Sequence, residues 1–184
     1  MKFVKQILFC LLSALLFFIS WPPNSFPIFI FVAFVPILWF VFNFNPGKKV
    51  FSSWFLYMSL VLTFFVLNFS LTSWVMKAHW GGGIFASCLN TFLMSIVIIL
   101  VYKIKMVIGE KHALISFPVL WLSFEYLHFN WDLTWPWLTL GNVFSDKITW
   151  IQWYEYTGVL GGSLWILTVN TILYYTLRKF LSNQ

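Results

Sequence analysis

Charge is what this sequence has least of. Asp, Glu, Lys and Arg together make 9% of its 184 residues, and only five of them are acids, whereas a soluble domain carries about 25% charged residues. Too little polar surface remains to cover a water-soluble globule, and a disordered chain is excluded by the same shortage of charge. Cysteine is almost as scarce. Cys10 and Cys88 both lie in apolar runs, where a thiol behaves as a small hydrophobe, so there is no disulfide framework to read. No glycine-rich phosphate loop, dinucleotide fingerprint, serine elbow or internal repeat occurs, and the excess of six positive charges is spread along the chain rather than gathered into a nucleic-acid patch. Period-two alternation is missing as well, which excludes a strand-built barrel.

What is abundant is apolar and aromatic. Hydrophobic residues make up 61% of the chain, with 23 Phe, 12 Trp and 7 Tyr, and mean hydropathy is +0.87. The composition is that of an integral membrane protein, and the fold class expected is all-α, polytopic, in a single transmembrane domain over residues 1–184. A bilayer core about 30 Å thick takes roughly 20 apolar residues of helix. Six segments near that length stand out, at residues 4–21, 26–42, 50–68, 84–102, 113–129 and 158–177. Asn24, Asn45-Pro46-Gly47, Gly81-Gly82-Gly83 and Gly109 punctuate them, and Pro36 is expected to kink the second. The first segment follows Lys2 and Lys5 as a secretory signal would, but Ile19-Ser20-Trp21-Pro22-Pro23 offers no small-x-small cleavage site, so the segment is expected to stay in the membrane.

Lysine and arginine alternate across these segments. Lys2, Lys5, Lys48, Lys49, Lys103, Lys105, Lys111, Arg178 and Lys179 fall on one side, and Lys77 and Lys147 on the other. By the positive-inside rule both termini are expected in the cytoplasm, with residues 130–157 on the outer face. That outer connection is far longer than the roughly two to eight residues usual between helices. It holds Trp131, Trp135, Trp137, Trp150 and Trp153, rings that favour the headgroup layer, so it is expected to lie on the membrane with Trp135-Pro136-Trp137 as a rigid clip facing the bilayer surface. Residues 146–156 are expected to form a short interfacial helix, capped by Ser145 or Asp146 and ended by Gly158.

The polar residues that draw attention lie at the end of the fifth segment. Glu125, His128 and Asp132 are spaced i, i+3 and i+7, with Trp121 one turn before Glu125, which puts all four on one face if the helix runs that far. An acid in a membrane helix is costly and marks a candidate site. Three readings stand: a structural polar cluster, a substrate cavity extending to Trp135 and Trp137, or a metal site. The metal reading is weak, since one helix supplies only three ligands and no H-E-x-x-H occurs. His79, ahead of the Gly81-Gly82-Gly83 run, reads as a hinge that could gate access between the third and fourth segments. Neither cysteine has an acid or base at helical spacing to activate it.

Several runs resemble a known family. Trp21-Pro22-Pro23, Phe31-Val32-Ala33-Phe34-Val35-Pro36-Ile37-Leu38-Trp39, Phe117-Pro118-Val119-Leu120-Trp121 with Glu125-Tyr126-Leu127, and Trp135-Pro136-Trp137-Leu138-Thr139-Leu140-Gly141-Asn142 occur in that order. They are followed by Tyr156-Thr157-Gly158-Val159-Leu160-Gly161-Gly162-Ser163-Leu164-Trp165, ending in Val169-Asn170. Together they resemble the membrane part of bacterial apolipoprotein N-acyltransferases, and the block from Phe117 to Asn170 is the specific part. The resemblance implies a bacterial inner-membrane enzyme that moves an acyl chain from a phospholipid to the amino group of a diacylglyceryl-cysteine lipoprotein through a cysteine thioester. In that family a nitrilase-like outer domain supplies the nucleophile, a lysine and a glutamate. Seven residues follow Leu177 here, so no catalytic residue is carried over, no cofactor is implied, and the expected partners are membrane phospholipid, a lipoprotein and a nitrilase-like partner chain, with no nucleic acid. A small transporter or scaffold sharing the fold is the alternative.

Overall fold

The computed structural model describes residues 2–23, 26–45 and 50–182, with the side chains of residues 2, 3 and 50–53 left aside. Asn24, Pro46, Gly47, Lys48 and Lys49, which carry the expected first two connections, lie outside the described residues. Among the described residues every regular element is helical. Its α-helices are α1 Lys2–Ser20, α2 Val35–Asn43, α3 Val50–Thr72, the single turn α4 Val75–Ala78, α5 Trp80–Val107, α6 Glu110–Phe129 and α7 Tyr154–Ser182. Short 3-10 turns cover Pro27–Val32, Pro136–Leu138, Leu140–Phe144 and Ile148–Trp150.

Three stretches are long and apolar enough to cross a membrane, Trp54–Thr72, Trp80–Val107 and Tyr154–Ser182, and two shorter apolar ones accompany them, Val4–Ser20 and Pro27–Asn43. α6 has 20 residues but carries Glu110, Lys111, His112, Glu125 and His128. Large apolar side chains point outward along most of these helices, among them Leu8, Leu15, Ile96, Ile115, Val119 and Ile172. Exposure on that scale is at home in lipid rather than water.

The second segment departs most from expectation. It is not one kinked helix: a 3-10 turn, Pro27–Val32, stops at Ala33 and Phe34, and α2 starts afresh at Val35. The break falls ahead of Pro36, whose ring tolerates a helix start but not an interior position. Breaking a helix frees backbone groups that lipid cannot satisfy, so side chains must take them. Asn170 of α7, fully buried, does so: its Oδ1 accepts from Phe34 N at 2.9 Å and its Nδ2 donates to Ile30 O at 2.9 Å. Ser13 Oγ of α1 accepts from Ile37 N at 3.2 Å.

Around this break sits the core. Phe34 is edge-on to Phe17 of α1 and to Phe117 and Trp121 of α6, with ring centroids 4.8, 5.1 and 4.7 Å apart. The seam between α3 and α5 is polar by contrast. Asn90 Nδ2 donates to Asn68 Oδ1 at 2.8 Å, and the Thr72 and Ser87 hydroxyls are 3.2 Å apart. Small side chains at Ser87, Thr91 and Ser95 line the buried face of α5, and such residues let membrane helices approach closely.

The glycine run also differs from its expected role. Gly81-Gly82-Gly83 opens α5 as its first turn, and His79 caps that turn, its Nδ1 accepting from Gly82 N at 2.8 Å. His79 is a helix cap here, not a hinge. At the opposite end of the bundle, Lys105 Nζ donates to Phe44 O at 3.2 Å, and Arg178 pairs with Glu110 at 2.7 Å.

Candidate functional site

α6 presents Trp121, Glu125 and His128 inward, with side chains 0, 2 and 4% exposed. Spacing of four and three residues puts them on the stripe that Phe117 begins, so the apolar face that packs α6 into the core also buries the acid. Burial of a carboxyl is tolerable only when it is hydrogen-bonded. Glu125 Oε1 accepts from Trp121 Nε1 at 3.0 Å and from the backbone N of Leu140 at 2.9 Å. One oxygen thus ties the end of α6 to the segment that crosses back over it.

That segment, residues 130–157, is folded down onto the helices. Gly141 N donates to Ser163 Oγ at 3.0 Å, Tyr154 Oη donates to Gly141 O at 3.0 Å, and Asn142 Nδ2 donates to Pro136 O at 3.0 Å. Gly141 is buried against α7, where a Cβ would run into the carbonyl oxygen of Val159, so the close approach admits only glycine. Gly158, at φ 65°, lets the chain leave the turn at Tyr154 and enter the long part of α7. The expected helix over residues 146–156 is instead a 3-10 turn, Ile148–Trp150, followed by the start of α7. Its cap is Lys147, without a side-chain hydrogen bond, rather than Ser145 or Asp146. Gly158 ends the following turn as expected.

Beneath Pro136–Leu138 these elements close around a cavity of about 10 Å³, lined by Asn90, Met94, Phe124, Glu125, His128, Trp135, Leu138 and Thr139. Room of that size is at the threshold for one water-sized molecule. Glu125 Oε2, Asn90 Oδ1, both imidazole nitrogens of His128 and Trp135 Nε1 are buried and meet no hydrogen-bond partner among the described residues. Five buried polar atoms of both donor and acceptor character therefore belong to residues that line one small cavity. A second pocket of about 270 Å³ adjoins it, sharing Asn90, His128 and Trp135 and adding Phe85, Ala86, Leu89, Asp132, Leu133 and Thr134. His128 is held by ring contacts, edge-on to Phe124 at 4.7 Å and to Trp131 at 5.3 Å.

Two expected members stand differently. α6 stops at Phe129, so Asp132 is not on the helical face; it is exposed in the turn beyond and returns to the wall of the larger pocket. Trp135 turns inward to the cavity rather than outward, whereas Trp137 is 52% exposed and edge-on to Trp74 at 5.2 Å. The clip splits because Pro136 opens a 3-10 turn, which points neighbouring side chains in different directions. Asn90 escaped the sequence reading, although a lone amide inside an apolar helix is itself a signal. Among the described residues no three His, Cys, Asp or Glu side chains come close enough to hold a metal ion. Cys10 is fully buried and Cys88 half-buried.

With this geometry in hand, comparison with known proteins is specific. Residues 13–172 match the family model described as the apolipoprotein N-acyltransferase N-terminal domain. A relative from Chlorobaculum tepidum, described as an apolipoprotein N-acyltransferase, is 29% identical over 175 residues, covering 92% of this chain and 31% of the relative. Another of the same description, from Geobacter metallireducens, is 26% identical over 193 residues, covering 98% of this chain and 35% of the relative. The chain spans about a third of the length of these curated relatives. No solved structure matches it.

Proposed function

Since the chain belongs to the apolipoprotein N-acyltransferase family through that amino-terminal domain, we propose that it forms the membrane part of an enzyme of bacterial lipoprotein maturation, which transfers an acyl chain from a phospholipid to a lipoprotein amino terminus. The observation that carries this reading is the match over residues 13–172, most of the chain. In this reading the protein crosses the inner membrane six times, α1, the broken segment Pro27–Asn43, α3, α5, α6 and α7 being the spans, with both termini cytoplasmic. The asymmetry of lysine and arginine supports that orientation.

The pocket of about 270 Å³ receives the polar part of a lipid substrate, and the small polar cavity beside it adds a bordering polar wall. Asn90, His128, Asp132 and Trp135 offer the hydrogen-bonding groups, and Glu125 fastens the covering segment. Acyl transfer through a thioester needs a thiolate, a base and donors for the oxyanion, held together. Cys10, packed among core side chains, and Cys88, on an apolar helix, supply none of that assembly, so the chemistry belongs to a nitrilase-like part outside these residues. Expressing residues 1–184 in a strain depleted of its own N-acyltransferase tests this, with lipoprotein amino termini read by mass spectrometry. Triacylated product is expected only when a nitrilase-bearing partner is supplied. Product from these residues alone, lost on Cys88→Ala, would refute the assignment.

A further inference from the structure

The end of the bundle away from Glu125 holds a pocket of different character. Glu110, where α6 begins, is 15 residues before Glu125, about 22 Å along the axis at 1.5 Å per residue. There α6 and the end of α7 border an open pocket of about 390 Å³ whose polar lining includes Lys111, Arg178 and Lys179, with Leu114 and Tyr175 as its apolar part. Glu110 is its one acid, and that carboxylate is engaged: Oε1 pairs with Arg178 Nε at 2.7 Å. Arg178 is fixed further by Nη1 donating to Tyr174 Oη at 2.8 Å and to Asn43 Oδ1 at 3.4 Å. Among the described residues Lys111 and Lys179 have no ion pair, and both are exposed.

We propose that this pocket binds the headgroup of an anionic phospholipid. Glu110 and Arg178 offset each other, so Lys111 and Lys179 leave a net charge of plus two at the mouth. The pair also holds Arg178 in place, so no ordering cost falls on that side chain when a phosphate arrives. Basic pockets between helix ends recognise phosphate-bearing headgroups in this way. A zwitterionic headgroup would bring its own cation against the two lysines, whereas phosphatidylglycerol brings only the phosphodiester charge. The exposed face of Tyr175 and the side of Leu114 then cover the glycerol and first methylenes, which a free phosphate lacks. The inference concerns the opposite end of the helices from the candidate site and does not rest on the acyl-transfer reading.

The test uses the whole chain, purified in detergent and exposed to an equimolar mixture of phosphatidylglycerol and phosphatidylcholine, with retained lipid counted by native mass spectrometry. The parent should retain phosphatidylglycerol about fivefold over phosphatidylcholine, whose own cation cancels about one lysine's attraction. Lys111→Gln with Lys179→Gln should weaken phosphatidylglycerol retention roughly 25-fold, about fivefold for each lysine, while Lys111→Arg with Lys179→Arg keeps it. Lys77→Gln with Lys147→Gln should change nothing. Millimolar inorganic phosphate should not displace the lipid. Equal retention of both lipids, unchanged retention in the Gln pair, an equal loss in the Lys77 and Lys147 pair, or displacement by inorganic phosphate would each overturn the proposal. If the Gln pair melts early, Lys179→Gln alone carries the same comparison with an expected loss of about fivefold.

Discussion

Asn170 is the residue whose loss should be felt most for its size. Asn170→Leu keeps the branched, four-heavy-atom outline of the side chain, with somewhat more bulk, but removes the acceptor for Phe34 N and the donor for Ile30 O, both at 2.9 Å. The two lost bonds differ in weight. Ile30 O keeps a longer bond from Ala33 N at 3.3 Å, and Ile166 O, the third partner of Asn170, remains within its own helix. Phe34 N is left without its side-chain acceptor at a fully buried position. An orphaned buried N–H costs about 1–3 kcal/mol, and an interhelical hydrogen bond in a membrane bundle averages about 0.6 kcal/mol. The sum is roughly 1.6–3.6 kcal/mol. At about 2–4 °C per kcal/mol for a chain of this length, the midpoint of thermal unfolding in detergent should fall by roughly 3–14 °C. Thr171→Ala, at the next residue, removes only a bond to Leu167 O within α7 and should shift the midpoint by less than about 2 °C. Amide exchange at Phe34 should accelerate in Asn170→Leu and not in Thr171→Ala. A leucine variant as stable as the parent, with Phe34 still protected, would refute the idea that this amide holds the broken segment together.

Further outcomes follow from the same structure. Glu125→Ala strips the acceptor from Trp121 Nε1 and Leu140 N and should cost about 2–4 kcal/mol, while Glu125→Gln, which keeps a carbonyl oxygen there, should cost under about 1 kcal/mol; limited proteolysis within residues 130–157 distinguishes the two. Gly162→Ala would drive a Cβ into the Tyr154 hydroxyl, displacing the ring that bonds Gly141 O, and should destabilise by about 1–3 kcal/mol, read by the unfolding midpoint. For the proposed orientation, after Cys10 and Cys88 are replaced by Ala, a cysteine beside Lys48 should resist an impermeant thiol reagent in spheroplasts while Asp146→Cys reacts; the reverse pattern would invert the topology. A double-mutant cycle on Asn68→Leu and Asn90→Leu should return a coupling of about 0.6–1.7 kcal/mol, and zero coupling would mean that the amide pair adds nothing to the α3–α5 seam.

Much of the candidate site was legible from spacing. Trp121, Glu125 and His128 share a face because helical periodicity is a local property, and an acid in an apolar run is conspicuous in any sequence. Where the face ends was not legible. Asp132 sits at the right interval, yet α6 stops at Phe129, and the turn that follows is set by what Trp135, Leu138 and Leu140 pack against rather than by their own preferences. His79 and the three glycines after it read as a hinge because glycine weakens helices. In the structure the cap on Gly82 N and the packing of α5 outweigh that weakness, as tertiary context often does for intrinsic propensity.

By itself the sequence determined the solvent, the element type and the family. Scarce charge and long apolar runs require backbone groups to be satisfied within helices, and that constraint holds whatever the packing. Tertiary structure decided which polar groups meet. Asn90 of α5, Glu125 and His128 of α6 and Trp135 of the covering segment border one cavity, and Asn170 reaches a break 136 residues earlier in the chain. No local rule couples positions so far apart. Their pairing depends on which helices lie side by side, and in lipid that is settled by shape, small-residue contacts and a few buried hydrogen bonds, since burying one apolar face against another gains little over leaving it in the bilayer.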